Sequence, residues 1–80
     1  MTKKEKLIEK FKNNPWNLKF WEIEIILKDL WFDRIEAKWS HTKFKNKDLK
    51  NDVIIPVHNN DCKDFYKKQT LKILKNNWLI

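Results

Sequence analysis

Two histidines, one cysteine and a surplus of lysines are the residues in this 80-residue chain that could do chemistry, and one histidine stands among groups able to assist it. His41 follows Lys38, Trp39 and Ser40 and precedes Lys43 and Lys45. An imidazole exchanges protons near neutral pH and can serve as general base or general acid. Lysines beside it can hold a phosphate and stabilise the charge that develops on it. Those abilities suit cleavage of RNA without a metal, in which a base takes the 2′-hydroxyl proton and an acid protonates the leaving 5′-oxygen. The plain alternative is an exposed strand histidine paired with a carboxylate. Ser40 can orient a phosphate or the imidazole, but no carboxylate is placed to complete a Ser-His-acid triad. His58, after Pro56 and Val57, is the secondary catalytic candidate, in a place where a histidine more often caps a loop. Cys62 has no second cysteine to pair with, and one thiol with two distant histidines is a poor zinc set. No metal and no cofactor are expected, and the compartment implied is reducing and cytoplasmic.

Positioning His41 requires a scaffold, and the hydrophobic spacing supplies one. Leu7, Ile8 and Phe11 mark a helix over about residues 2–13, which Asn13-Asn14-Pro15 ends because the residue before proline leaves the α region. Ile23, Ile26, Leu27 and Leu30 repeat at i, i+3, i+4, i+7 and predict a second helix over residues 21–30. Residues 33–38 alternate, with Ile35 and Ala37 on one face and Arg34, Glu36 and Lys38 on the other. A second strand covers residues 41–46, with Thr42 and Phe44 alternating with basic residues, and a polar connection follows over 47–51. Residues 53–57 are β-branched and form the third strand, whose Pro56 marks an edge or a strand end. Helical spacing returns over residues 63–76, with Tyr66, Thr70, Ile73 and Leu74 on one side and Lys63, Lys67, Lys68, Lys72 and Lys75 around the rest. Phe65 is expected beside Tyr66 on the core face, and Glu22 and Glu24 as ordinary exposed helix residues. The order is α-α-β-β-β-α, an α+β domain with an antiparallel meander.

Length and charge bound what such a domain can act on. Eighty residues make one small domain, which buries only about 60–65% of its unfolded surface, so a site must lie on an exposed face or groove. Lys and Arg number 18 against 11 Asp and Glu, a formal charge of +7 distributed along the whole chain. A field of that sign draws in polyanions, although it also serves solubility. No apolar run matches a signal peptide or a membrane span, so a soluble, unprocessed protein is expected.

Composition carries an anomaly. There is no glycine, where average usage gives about five or six, and there are five tryptophans, where about one is expected. Trp31 follows the second helix and Trp78 follows the third, at stops where a left-handed residue, normally glycine, ends the helix. Trp39 falls at the turn between the first two strands, where positive φ is again expected. One explanation covers all three: UGA codons that the cell reads as glycine, written here as tryptophan. Trp16 and Trp21 are weaker cases. The other explanation is a drifted composition with surface aromatics, or stacking platforms for bases.

With Trp39 read as glycine, residues 38–44 become K-G-S-H-x-x-F, and Ile55-Pro56-Val57-His58 follows. On these residues the chain resembles the HicA family of toxin endoribonucleases. The likeness runs through Asn13-Asn14-Pro15, through Leu30-Trp31-Phe32 in place of Leu-Gly-Phe/Tyr, through the turn before His41, and through the Lys/Gln/Leu-rich last helix. The resemblance implies a fold like a double-stranded-RNA-binding domain, with a three-stranded antiparallel sheet and helices on one face. It also implies metal-independent cleavage of mRNA by the toxin of a type II toxin–antitoxin system, with His41 matching the essential histidine, and a HicB-type antitoxin covering the site. Lys38, Ser40, Lys43, Lys45, Lys67 and Lys68 are the expected RNA contacts. A glycine at position 39 would let the RNA backbone approach the turn, whereas a tryptophan would obstruct it. Two other functions compete: a non-catalytic RNA-binding module of the same fold, and a regulatory protein whose basic face binds an acidic protein.

Overall fold

Thr2 opens the first helix, α1 (Lys3–Asn13), by accepting the Glu5 N–H at 3.1 Å, while its hydroxyl lies 3.2 Å from the Glu5 carboxylate. This Thr-x-x-Glu arrangement satisfies an orphan donor of the first turn. Pro15 then starts a 3₁₀ turn (Pro15–Asn17) in the stretch that the sequence leaves as a loop. The second helix, α2 (Phe20–Asp29), begins one residue before the expected start, and the Glu22 carboxylate accepts the Lys19 N–H at 3.0 Å. The computed structural model describes residues 2–36 and 41–80, and within them follow β1 (Asp33–Glu36), β2 (His41–Lys45), β3 (Val53–Pro56) and α3 (Asp64–Asn76). The order is α-α-β-β-β-α, and the strands form one antiparallel sheet in the order β1-β2-β3. No helix among the described residues is long and apolar enough to cross a membrane.

Register decides which face each strand residue takes, because directly opposed residues share a face. Phe44 pairs with Arg34 and Val53, and Thr42 pairs with Glu36 and Ile55. Phe44, Thr42, Val53 and Ile55 are buried, so this is the face that the helices cover. Phe11, Leu18, Phe20, Ile23, Ile26, Leu27, Leu71 and Leu74 complete the core from the helical side, and the rings of Phe20 and Phe44 are 6.2 Å apart.

The other face carries Ile35, Lys43 and Ile54 in one row and His41 opposite Pro56 in the next. Ile35 therefore lies on the uncovered face, contrary to the inward position its apolar character suggests. Its neighbour Arg34 reaches α2 instead, donating to Glu24 at 2.7 Å and stacking over the Phe20 ring at 5.8 Å. A long guanidinium stem covers apolar surface while its head pairs with a carboxylate, so an arginine can take a core-side position at the sheet edge. Glu24, expected as an ordinary exposed residue, is half-buried and also pairs with Lys28 at 3.4 Å.

The helices α2 and α3 end as their flanking residues predict. In α2 the Phe32 N–H bonds the Leu27 carbonyl at 3.0 Å and the Trp31 N–H bonds that of Lys28 at 3.1 Å. In α3 the Leu79 N–H bonds the Leu74 carbonyl at 2.9 Å and the Trp78 N–H bonds that of Lys75 at 3.1 Å. Each is a Schellman stop, with an apolar residue after the left-handed position folded back onto the core. Asn46, buried at the end of β2, donates to the Leu30 carbonyl at 3.1 Å and so ties the first stop to the sheet.

The inverted face of β1 yields a direct test. Ile35→Thr should change unfolding free energy by no more than about 0.5 kcal/mol, as for ordinary surface sites. Ile55→Thr, which places a hydroxyl in the core, should cost about 2 kcal/mol or more. Urea unfolding of the two variants checks the assignment, and equal losses would contradict it.

Candidate active site

His41 opens β2 on the uncovered face of the sheet, with Lys43 and Lys45 following on the same face at strand spacing, about 7 Å per two residues. It is exposed, and among the described residues no side chain hydrogen-bonds or ion-pairs with its imidazole. The opposed residue on β3 is Pro56. β3 is an edge strand, and a groove of about 310 Å3 runs along it, bounded on the far side by α3. His41, Asp52, Ile54 and Pro56 line the sheet side, and Tyr66 and Gln69 face them from the helix.

Tyr66 packs half-buried against the core, as its spacing predicts, and its remaining surface forms part of the wall of this groove. Gln69 lines the groove beside it, and its residue type alone does not mark it. The available signal is the helical spacing of residues 66, 69 and 73, which marks one face of α3 without telling that this face borders a strand edge. Phe65, expected on the core side, is exposed and meets the Tyr66 ring edge-on at 5.2 Å. Lys68 lines an adjoining groove of about 530 Å3 with Phe65 and Lys72, and the two grooves share Gln69 and Ile73. Its ammonium also lies 5.4 Å from the centre of the Trp16 ring.

Lys67 does not belong to this basic surface. Its side chain is only 5% exposed and lies 3.3 Å from the Asp61 carboxylate and 4.0 Å from that of Asp64. A buried ammonium held by a carboxylate serves the fold and presents no charge to a ligand, which corrects its expected role as an RNA contact. Lys38, Ser40 and Trp39, the other expected members of the site, lie outside the described residues.

His58 is exposed in the next turn and does not line the His41 groove. Its backbone pairs with Asp61 in both directions at 2.8 and 3.0 Å, and Asn59 and Asn60 between them have φ of 53° and 64°. Asparagine tolerates that left-handed geometry, so a tight two-residue reversal forms here without glycine.

The reversal presents Asp61, which no local pattern in the sequence marks. One Asp61 oxygen accepts the Phe20 N–H at 3.0 Å and the Cys62 N–H at 2.8 Å, and it is also the oxygen that faces Lys67. Burial pushes the carboxyl upward, but the Cys62 N–H, Lys67 and the Phe20 N–H outweigh it and hold Asp61 below its ordinary value of 3.8. Burial pushes the adjacent Cys62 thiol up to about 11, against the pull of Lys67, so it stays protonated at neutral pH and is no nucleophile. Among the described residues no group of three or more His, Cys, Asp or Glu side chains is placed to hold a metal ion.

The fold and site thus define a small α+β domain with a solvent-facing histidine beside a strand-edge groove. No family model, curated protein or solved structure matches the chain.

Asp61→Ala should destabilise the protein by about 3 kcal/mol at neutral pH, because it removes the nearer carboxylate from the buried Lys67 and leaves only the exposed Asp64 at 4.0 Å. A carboxyl whose folded pKa is depressed contributes its full stability above the unfolded value and loses it as pH falls through the folded one. The gap between parent and variant in urea unfolding should therefore hold above pH 3.8 and narrow below it. A gap independent of pH would separate Asp61 from the stability of the fold.

Proposed function

We propose that this chain is an endoribonuclease that cleaves mRNA without a metal, acting as the toxin of a toxin–antitoxin pair, with His41 as the proton-transfer group. The observation that supports it best is the position of His41: exposed, at a strand-edge groove, in line with Lys43 and Lys45 on a sheet face that no helix covers. Such a face accepts a polymer that a deep pocket would exclude. Its lysines favour a phosphate backbone, as does the net charge of +7.

In this reading a ribose 2′-hydroxyl gives its proton to His41 and the 2′-oxygen attacks the adjacent phosphorus. The bond from phosphorus to the 5′-oxygen of the next nucleotide breaks, water in the open groove protonates that oxygen, and the hydroxide so formed takes the proton back from the His41 imidazolium. The products are a 2′,3′-cyclic phosphate and a 5′-hydroxyl. Lys43 stabilises the extra negative charge on phosphorus, and Lys38 and Ser40 add to the hold on the phosphate. Lys45, at the far end of β2, and Lys68, in the adjoining groove, bind flanking phosphates. A basic nuclease of this kind in the cytoplasm needs cover, which an acidic antitoxin of the HicB type would supply by occluding His41.

His41→Ala tests the reading, made both in the chain as written and in a chain carrying glycine at positions 31, 39 and 78, since an indole at position 39 can by itself block RNA. At least one parent should cleave RNA in EDTA. Its His41→Ala variant should lose that cleavage by a factor of 100 or more, roughly the contribution of one acid–base group. RNA affinity should persist, and the melting temperature should change little because the side chain is exposed. Undiminished cleavage by the variant overturns the assignment of His41. Salt-dependent RNA binding with no cleavage by either parent leaves a non-catalytic RNA-binding module in its place.

A further inference from the structure

Four described residues have positive φ, and two of them are Asn59 and Asn60 in the tight reversal before α3. The other two are tryptophans: Trp31 at φ 69° and Trp78 at φ 60°. Asparagine is several-fold enriched in that region, whereas for a bulky residue it is a genuine outlier. Both tryptophans occupy the position after the C-cap of a Schellman stop, the place in a helix most strongly associated with glycine.

The side chains bury little in return for that strain, although Trp31 borders two open hollows of the surface. Trp31 is 85% exposed and Trp78 is 92% exposed. Among the described residues neither indole stacks on a ring or meets a cation, and neither lines the His41 groove. A strained residue persists where the surrounding structure or a function demands it, and here the demand comes from the backbone alone. The stops use the N–H of each tryptophan and leave its indole in water. Trp16 and Trp21 are also exposed, at 47% and 57%, so no described tryptophan belongs to the core. A tryptophan is ordinarily highly buried.

We infer that the cell making this protein places glycine at positions 31 and 78, reading as glycine a UGA codon that has been rendered as tryptophan. UGA differs from the tryptophan codon UGG in its last base and from the glycine codon GGA in its first, so a single change in a glycine tRNA anticodon connects the two meanings. A codon has one meaning throughout a gene, which brings Trp16, Trp21 and Trp39 under the same assignment wherever UGA encodes them. Five glycines in 80 residues would match the average usage of roughly 7%, and both compositional anomalies would disappear together. The inference rests on backbone geometry and side-chain exposure, and it stands whether or not the chain cleaves RNA.

Mass spectrometry of the protein isolated from the cells that make it is the decisive experiment. The peptides spanning positions 31 and 78 should each be lighter than the written sequence by the replacement of an indolylmethyl group with hydrogen, and the gene should carry UGA at both. Tryptophan in either native peptide, or UGG at either position, overturns the inference. A second measurement tests the physical basis in recombinant protein. Trp31→Gly and Trp78→Gly should each shift the folding equilibrium toward the native state about fivefold, the left-handed penalty removed. Trp21→Gly, within a right-handed helix, should give no such gain, because glycine weakens a helix interior. Equal effects at positions 21, 31 and 78 would remove the argument from geometry.

Discussion

Asp61 divides its two oxygens among partners drawn from distant parts of the chain: the Phe20 and Cys62 N–H groups, the Lys67 ammonium and, at 3.8 Å, that of Lys19. Phe20 is the first residue of α2, where unsatisfied N–H groups and the helix dipole favour a negative charge. Lys67 lies in α3 and is buried, so its charge is tolerable only with a carboxylate against it. One side chain thereby fixes the start of α2, the reversal after β3 and the first turns of α3 relative to one another. The His41 groove is the space left between β3 and α3.

The sheet then separates two kinds of work. Its inner face, with Phe44, Thr42, Val53 and Ile55, closes the hydrophobic core against helices on one side only. Its outer face is left with His41 and Lys45, which are exposed, and Lys43, which is half-buried. A domain of this size has too little interior to enclose polar groups of this kind, so an uncovered strand face is where they can lie without cost to its stability.

The helix ends set a second constraint. Two Schellman stops turn the chain sharply enough to put Phe32 and Leu79 back on the core, and each requires a left-handed residue. The sequence offers tryptophan at both places and asparagine at the other two left-handed positions. Asparagine meets that demand through its short polar side chain; tryptophan has no comparable means.

The sequence by itself determined the element order, the helix limits to within a residue and the left-handed stops at positions 31 and 78, because hydrophobic period and capping are local properties of the chain. It also singled out His41 and Lys43 from residue type and order. The tertiary structure decided what lies opposite what. Ile35 faces outward because its register with Lys43 and Ile54 places it there, and Arg34 turns inward because Glu24 and the Phe20 ring await it. Tyr66 and Gln69 join His41 only because α3 lies along the free edge of β3, and Lys67 leaves the basic surface only because Asp61, six residues earlier, is brought beneath it. Such pairings depend on strand register and on a long-range hydrogen-bond network, and neither has a period that can be read along the chain.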